Sequence, residues 1–166
     1  TSMFTGIIQA VGEVAAIEQT GGDVKLRIKT GALPLEDVQL GDSIATNGVC
    51  LTVTELPGDG YWADVSTETL SLTSLKSIVV GSAVNLEKSL TPTTALGGHL
   101  VSGHVDGLGR VVGLTRDARS WRVSIGAPAG LARYIAQKGI ICVDGTSLTV
   151  NARCCRWCER LKWRPN

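Results

Sequence analysis

The sequence NGVCLTV at residues 47–53 recurs 97 positions later as DGTSLTV at residues 144–150, and this repetition determines how the whole chain is interpreted. The same shift places FTGII at residues 4–8 over VSGHV at residues 101–105. Separated blocks therefore keep one register without a gap, although a single insertion would break it. We predict that the chain is a tandem duplication of one unit.

Each copy of the repeat is predicted to consist of short β-strands. Residues 24–28 (VKLRI) alternate apolar and charged side chains, as a half-buried strand does, and residues 121–125 (WRVSI) keep the same apolar positions in the second copy. The dipeptide Asn47-Gly48 between two apolar runs is a strong signal for a two-residue hairpin. The 20 glycines separate short runs rich in Val, Ile, Leu and Thr. The sequence therefore predicts an all-β protein, either a barrel or a sandwich.

The composition is that of a soluble globular protein. The 166 residues are 43% hydrophobic and 19% charged, and the net charge of +1 gives no electrostatic reason to expect binding to nucleic acid or to an anionic membrane. No apolar stretch approaches the roughly 18 residues that a membrane span needs. The five cysteines suggest no pairing, so a disulfide framework is not expected. We therefore expect a cytoplasmic protein.

The second copy is predicted to be incomplete after Asn151. The counterpart of DVSTETL at residues 64–70 should lie near position 161, but residues 152–160 (ARCCRWCER) show neither strand nor helix periodicity. The predicted domains are an N-terminal barrel at 3–90, a partial C-terminal barrel at 97–151 and an atypical tail at 152–166.

Three interpretations of the tail at residues 152–166 stay open. A frameshifted or truncated end would explain the abundance of Cys, Trp and Arg, because a GC-rich gene read out of frame gives such a composition. A genuine alternative ending is the second interpretation. The third is a metal site, since Cys155 and Cys158 have the CxxC spacing of metal ligands, but a single CxxC without a second pair is a weak signal.

The positions at which the two copies differ carry the candidate chemistry. Cys50 in the first copy is replaced by Ser147 in the second, and Ile7 is replaced by His104. One copy thus offers a thiol, and the other offers a hydroxyl with an imidazole. Cys50 in an apolar strand is either a nucleophile or a small buried hydrophobic residue. His104 is either a proton carrier or a structural hydrogen-bonding group.

Other polar side chains also have a functional and a structural interpretation. Ser147 and Thr149 alternate along a predicted strand, so their hydroxyls point to one face, where they contact a ligand or a neighbouring strand. Glu68 is either a site residue or a solvated charge. His99 follows two glycines, and a structural role is favoured for it. Asp144 adds a carboxylate to the second copy.

Five blocks of the sequence resemble those of the riboflavin synthases. In chain order they are MFTGII at 3–8, GDSIATNGVCLTV at 41–53, ETL at 68–70, GGHLVSGHVD at 97–106, and KG followed by DGTSLTV within 138–150. The resemblance covers the chain from Met3 to the vicinity of Asn151. It implies two tandem Greek-key six-stranded antiparallel β-barrels, the second incomplete here at its C-terminal end, and a C-terminal helix that gathers subunits into a homotrimer.

The resemblance also implies a reaction. Two molecules of 6,7-dimethyl-8-ribityllumazine bind between the N-terminal barrel of one subunit and the C-terminal barrel of a neighbour, and one donates a four-carbon unit to the other. The products are riboflavin and 5-amino-6-ribitylaminopyrimidinedione, in the last step of riboflavin biosynthesis. The family uses neither a metal nor a redox cofactor. The expected partners are the lumazine substrate, the product riboflavin, further copies of the chain and lumazine synthase.

The family's functional positions carry over to matching residues of this sequence. The residues implied to take part in the chemistry are Cys50, Ser43, His104 and Thr149. The residues implied to line the first pocket are Phe4, Thr5, Gly6, Ile7, Ile8, Leu51, Thr52, Asp64, Val65, Ser66, Thr67, Glu68 and Thr69. The residues implied to line the second pocket, with His104 and Thr149, are Gly103, Val105, Lys138, Asp144, Ser147 and Leu148.

The end of the sequence departs from the family pattern. A carboxylate of the second pocket and the trimerising helix belong to the part that the resemblance does not reach, so weak turnover is expected. The alternative is a non-catalytic lumazine- or flavin-binding protein of the same fold, like the antenna proteins of luminous bacteria. Such relatives lose catalytic residues from one half, whereas this sequence keeps Cys50 with His104, Ser147, Thr149 and Lys138, which favours the enzyme. A structural duplicate without a ligand is the third hypothesis.

Overall fold

The computed structural model describes residues 2–154 and 158–163. Its strands are β1 Ala10–Thr20, β2 Asp23–Lys29, β3 Ser43–Thr46, β4 Val49–Glu55, β5 Gly60–Val65, β6 Ala83–Lys88, β7 Arg110–Asp117, β8 Ser120–Gly126, β9 Ile140–Val143, β10 Thr146–Cys154 and β11 Cys158–Trp163. The helical elements are α1 Thr67–Leu72, α2 Ala129–Ala132 and a 3-10 turn at Ser74–Ser77. Within the described ranges, no helix has both the length and the apolar character needed to cross a membrane.

The chain divides into two compact units. The first unit comprises residues 2–105 together with the turn at 144–146, and the second comprises the other described residues. The repeat assigns residues 97–105 and 144–146 to the second copy, yet these segments pack with the first unit. The border between the packed units therefore differs from the border between the two copies of the sequence.

The first unit is a closed antiparallel β-barrel with the strand order β1-β2-β5-β4-β3-β6. Alternation along β2 turns Val24, Leu26 and Ile28 into the barrel, where each is at most 5% exposed. Burying such side chains contributes about 1.5–3 kcal/mol each, so this face of β2 stabilises the unit together with the other inward-facing residues of the core. The predicted antiparallel β-barrel is confirmed in this unit.

A two-residue turn closes the β3–β4 hairpin, as predicted. Asn47 and Gly48 have φ values of 49° and 77°, which is the left-handed pair that a type I′ turn requires. The corresponding turn between β9 and β10 has φ values of 44° at Asp144 and 84° at Gly145. Asn, Asp and Gly tolerate positive φ better than other residues do, so this hairpin can be predicted from local sequence.

Irregularities in the backbone of the first unit recur in the second. One β-bulge follows Val14 in the β1–β2 pair, and another follows Val111 in the β7–β8 pair. A further bulge follows Val53 in the β4–β5 pair, and its counterpart follows Val150 in the β10–β11 pair. The members of both pairs lie 97 positions apart. Because a bulge bends a strand at a defined place, this shared spacing supports the predicted duplication.

The tail differs from its prediction. Residues 152–160 show neither strand nor helix periodicity, but β10 continues to Cys154, and Cys158–Trp163 forms β11. β11 pairs with β8 and β10 in the way that β5 pairs with β2 and β4. β11 was not predicted because pairing with two neighbouring strands defines it, and such pairing leaves no mark on the periodicity of the sequence. The frameshift interpretation of the tail stays a prediction.

The proposed metal ligand Cys155 lies outside the described residues. Among the side chains that the structure describes, no group of three or more His, Cys, Asp or Glu residues could hold a metal ion. The CxxC interpretation of the tail is therefore not tested and stays a prediction.

The second unit is an open five-stranded sheet with the order β7-β8-β11-β10-β9. In the described part of this unit, no strand takes the place that β6 has between β1 and β3. Val14 of the first unit is 0% exposed, whereas its counterpart Val111 is 61% exposed. The second barrel is incomplete, as predicted, and its β7 edge leaves apolar side chains uncovered.

Tyr61 and Thr46 form a polar pair inside the first barrel. Both side chains are 0% exposed, their hydroxyl oxygens lie 2.5 Å apart, and burial raises the pKa of Tyr61. Removing one hydroxyl leaves the other without its partner, whereas removing both leaves an apolar contact. We expect Tyr61→Phe and Thr46→Val each to lower the free energy of unfolding by about 1–3 kcal/mol, and the double variant to lose less than their sum. Strictly additive losses in urea unfolding would contradict this pairing.

Candidate functional site

Residues in equivalent positions of the two copies meet within the first unit. Phe4 N donates a hydrogen bond to Val101 O at 2.8 Å, and Val101 N donates to Phe4 O at 2.9 Å. A Cβ atom on Gly48 would lie 2.6 Å from the backbone nitrogen of Gly145. Both pairs are separated by 97 positions. Blocks that are distant in the sequence are thus assembled side by side.

Cys50 lies on the outer face of β4, beside the segment that carries His104. Leu51 is buried inside the barrel, whereas Cys50 is a half-buried free thiol and Thr52 is exposed. Cys50 N donates to Gly103 O at 3.0 Å. Gly103 has a φ of 73°, and a Cβ atom there would lie 2.7 Å from Cys50 Cβ, so this close approach requires glycine. Partial exposure of the thiol favours a functional role for Cys50 over that of a buried hydrophobic residue.

Ser43 belongs to the same hairpin as Cys50. It begins β3 and is paired with Thr52 of β4. Its side chain is only 8% exposed, and its Oγ accepts a hydrogen bond from Ser2 Oγ at 2.8 Å. A ligand that contacts the Ser43 hydroxyl must therefore displace Ser2 or include it in the contact.

Glu87 on β6 is a buried carboxylate that the sequence reasoning missed. Its side chain is 2% exposed, and Oε1 accepts hydrogen bonds from Thr5 N at 2.6 Å and Thr5 Oγ1 at 2.5 Å. Oε2 accepts from Gly6 N at 3.0 Å, and Thr5 Oγ1 accepts from Ile7 N at 3.1 Å. The sequence of β6, AVNLEK, gave no signal of this burial, because Glu87 lies between Leu86 and Lys88 as an ordinary surface charge would.

The two histidines differ in their surroundings. His104 is exposed, and its backbone N–H donates to Ser102 Oγ at 3.2 Å. The equivalent bond in the first copy runs from Ile7 N to Thr5 Oγ1. His99 N donates to Thr5 O at 2.9 Å, and partial burial lowers the pKa of the His99 imidazole. The accessible imidazole of His104 is therefore better placed to exchange protons with a ligand, and the structural role favoured for His99 fits its position.

The polar segment predicted for the first pocket lies where β5 passes into α1. Val65 is 1% exposed, so its side chain belongs to the core. Ser66 caps α1, because its Oγ accepts a hydrogen bond from Thr69 N at 3.1 Å. The carboxylates of Asp64 and Glu68 are exposed, and the interpretation of Glu68 as a solvated charge stays open.

Strand β10 repeats the arrangement of β4. Leu148 and Val150 are 8% and 1% exposed, whereas Ser147 is half-buried and Thr149 is exposed. The predicted common face of Ser147 and Thr149 is confirmed. Leu148, like Leu51 in the first unit, packs its side chain into a core, so it can meet a ligand only through its backbone.

Lys138 and Asp144 both have positive φ, at 67° and 44°. Lys138 is exposed, and its N–H donates to Val150 O at 2.7 Å. Asp144 Oδ1 accepts from Ser74 Oγ at 3.2 Å, and Asp144 O accepts from Asn85 Nδ2 at 3.0 Å. Asp144 therefore holds the turn at 144–146 against the first unit, in addition to any contact with substrate.

Apolar side chains predicted for the pockets are also found at the surface. Ile7 is 41% exposed and Val105 is 36% exposed. Ile8 is half-buried, and its Cδ1 would lie 3.1 Å from a Cβ atom on Gly145. Exposed apolar side chains beside oriented polar groups are typical of sites that bind small molecules.

The fold and these blocks match a known domain. The sequence model of the lumazine binding domain matches residues 5–89 and again residues 102–162. The structure of LumP complexed with riboflavin superposes with a TM-score of 0.85 and 25% identity, covering 97% of this chain and 86% of that one. LumP complexed with 6,7-dimethyl-8-(1'-D-ribityl) lumazine shares the fold with a TM-score of 0.83 at 24% identity. The chain is thus a protein of two tandem lumazine binding domains.

Curated riboflavin synthases are similar to most of the chain. The protein from Photobacterium leiognathi is 49% identical over 150 residues, which cover 90% of this chain and 69% of that relative. The protein from Bacillus subtilis (strain 168) is 41% identical over 148 residues, covering 89% and 68%. The chain belongs to the riboflavin synthase family.

Proposed function

We propose that this chain converts two molecules of 6,7-dimethyl-8-ribityllumazine into riboflavin and 5-amino-6-ribitylaminopyrimidinedione. One lumazine gives four carbons to the other, so the atoms balance without an external oxidant or reductant. The observation that carries the proposal is the twofold match of the chain to the lumazine binding domain, in a chain of this family. Within the first unit, the hydrogen bond from Cys50 N to Gly103 O joins the strand that bears the thiol to the segment that bears His104.

The site residues fit the chemistry of this transfer. The 7-methyl group of a lumazine is acidic because its carbanion delocalises into the fused ring, so a modest base suffices, and we assign that role to the exposed imidazole of His104. The partner lumazine is activated when a nucleophile adds to its C7, and Cys50, Ser43 and Thr149 supply the candidate thiol and hydroxyls. Holding both rings in the reacting orientation supplies much of the rate.

Each copy of the repeat is proposed to bind one lumazine. The copies span residues 3–90 and 97–151, and outer-face side chains of β4 and β10, including Cys50 and Ser147, contact the rings. We also propose a cytoplasmic homotrimer with lumazine synthase as a partner, on the strength of the family likeness.

A second candidate is a non-catalytic lumazine- or flavin-binding protein of the antenna type. It is favoured by the likeness to LumP, which was solved with riboflavin bound, and by the open second sheet. The retained side chains of Cys50, His104, Ser147, Thr149 and Lys138 favour the enzyme instead.

Incubation of the purified chain with 6,7-dimethyl-8-ribityllumazine separates the two candidates. We expect riboflavin, followed by chromatography, to accumulate in proportion to the amount of protein, with lumazine alone as the control. Tight binding, seen as a change in lumazine fluorescence, without any riboflavin would overturn the enzyme and support the antenna protein.

A further inference from the structure

We infer that Glu87 is a positioning residue for lumazine binding, because its carboxylate fixes the backbone turn that forms part of the first pocket. The inference rests on the proposed function and extends it to a residue outside the set that the family resemblance implied. The turn comprises Thr5, Gly6 and Ile7, which are all expected to line that pocket.

Glu87 holds the turn through both carboxylate oxygens. Oε1 accepts from Thr5 N and Thr5 Oγ1, and Oε2 accepts from Gly6 N, at distances of 2.5–3.0 Å. Gly6 has a φ of 75°, so the backbone bends at the residue whose N–H donates to the carboxylate. Thr5 Oγ1 also accepts from Ile7 N, which extends the hold to the next residue.

The same carboxylate joins this turn to the barrel wall that carries Cys50. Glu87 of β6 is paired with Ala45 of β3, and Ala45 is paired with Cys50 of β4. Thr5 O also accepts a hydrogen bond from His99 N at 2.9 Å. Glu87 therefore fixes the place of the N-terminal segment relative to the strand that bears the thiol.

The hydrogen bonds between Glu87 and the turn favour a role beyond stability. Burying a carboxylate costs several kcal/mol unless hydrogen bonds compensate for it, and the bonds to both oxygens of Glu87 come from the turn. Leu86, the adjacent residue, points into the barrel core and is 0% exposed, so Glu87 lies on the opposite face of β6, where the turn covers it. A carboxylate suits this position because its two oxygens accept hydrogen bonds from two adjacent backbone N–H groups and a hydroxyl, and so hold them in one arrangement.

Replacement of Glu87 by glutamine tests the inference. The glutamine amide keeps one acceptor oxygen, but its NH₂ group faces a backbone N–H, which is also a donor. One of the hydrogen bonds that hold the turn is therefore lost. We expect Glu87→Gln to raise the lumazine dissociation constant about 10- to 100-fold, with a smaller change in the turnover number at saturating lumazine. Thr5→Val, which removes the shared hydroxyl, should act in the same direction, and the two effects should not add.

Tyr61→Phe is the matched control, because it removes a buried hydrogen bond from the same barrel without touching the turn. It should leave the dissociation constant within about 2-fold, at a temperature where circular dichroism shows each variant folded. Unchanged lumazine binding by Glu87→Gln and Thr5→Val, or an equal loss in Tyr61→Phe, would overturn the inference. Failure of the wild-type chain to bind lumazine would instead defeat the proposed function, and the inference with it.

Discussion

Replacing His104 with alanine is expected to lower the turnover number about 100-fold or more, while the lumazine dissociation constant changes less than about 3-fold. The imidazole is exposed, and the backbone of its segment is held by the bonds from His104 N to Ser102 Oγ and from Cys50 N to Gly103 O. Truncating the ring therefore removes a proton carrier and leaves the site assembled. Riboflavin formation at saturating lumazine gives the turnover number, and fluorescence titration gives the dissociation constant.

His104→Gln is the informative companion to this variant. Glutamine can form hydrogen bonds but cannot take up a proton near neutral pH, so it should be as slow as alanine. Recovery of turnover in His104→Gln would assign a hydrogen-bonding role to the residue. Equal losses of turnover and of binding in His104→Ala would contradict its role as the base.

Gly103→Ala is expected to damage both the fold and the site through one added methyl group. An alanine at a φ of 73° is strained, and its Cβ would lie 2.7 Å from Cys50 Cβ and 2.9 Å from Phe4 Cε2. We expect the free energy of unfolding to fall by about 2–5 kcal/mol. Riboflavin formation by the folded fraction should also fall, since the hydrogen bond between Cys50 N and Gly103 O must lengthen. Urea unfolding and turnover measured on the same sample check both effects.

Gly21→Ala separates the effect of backbone strain from that of the steric overlap with Cys50 and Phe4. Gly21 has a φ of 59°, and no atom lies within 4 Å of a Cβ built there. This variant therefore carries the backbone strain without the overlap, and it should cost about 1–2 kcal/mol with unchanged turnover. Equal destabilisation by both substitutions would show that the overlap with Cys50 and Phe4 adds no cost to the backbone strain, and equal turnover would show that this overlap does not affect the site.

The barrel and the repeat could be predicted because they are encoded locally. Alternation at residues 24–28 gives the inward face of β2, and the dipeptides Asn47-Gly48 and Asp144-Gly145 specify their turns without help from the rest of the fold. The common face of Ser147 and Thr149 follows from strand geometry alone. The residues that differ between the copies were likewise visible in a single sequence.

The features that were missed depend on contacts between distant segments. β11 is defined by its neighbours β8 and β10, and the turn at 144–146 packs with the first unit through Asn85 and Ser74. In the sequence, Glu87 resembles an ordinary surface charge. In the structure, β6 directs its side chain towards Thr5, more than 80 positions away. The expectation that Val65 lines a pocket treated its whole segment as surface, whereas its side chain is in the core.

The balance between substrate consumed and products formed tests the central claim most directly. The wild-type chain is incubated with 6,7-dimethyl-8-ribityllumazine alone, and all three compounds are quantified by chromatography over time. Transfer of four carbons between two bound lumazines predicts that two lumazines disappear for each riboflavin, with one pyrimidinedione released. Riboflavin formed from a single lumazine, or without the pyrimidinedione, would contradict a reaction between two bound molecules of the same substrate.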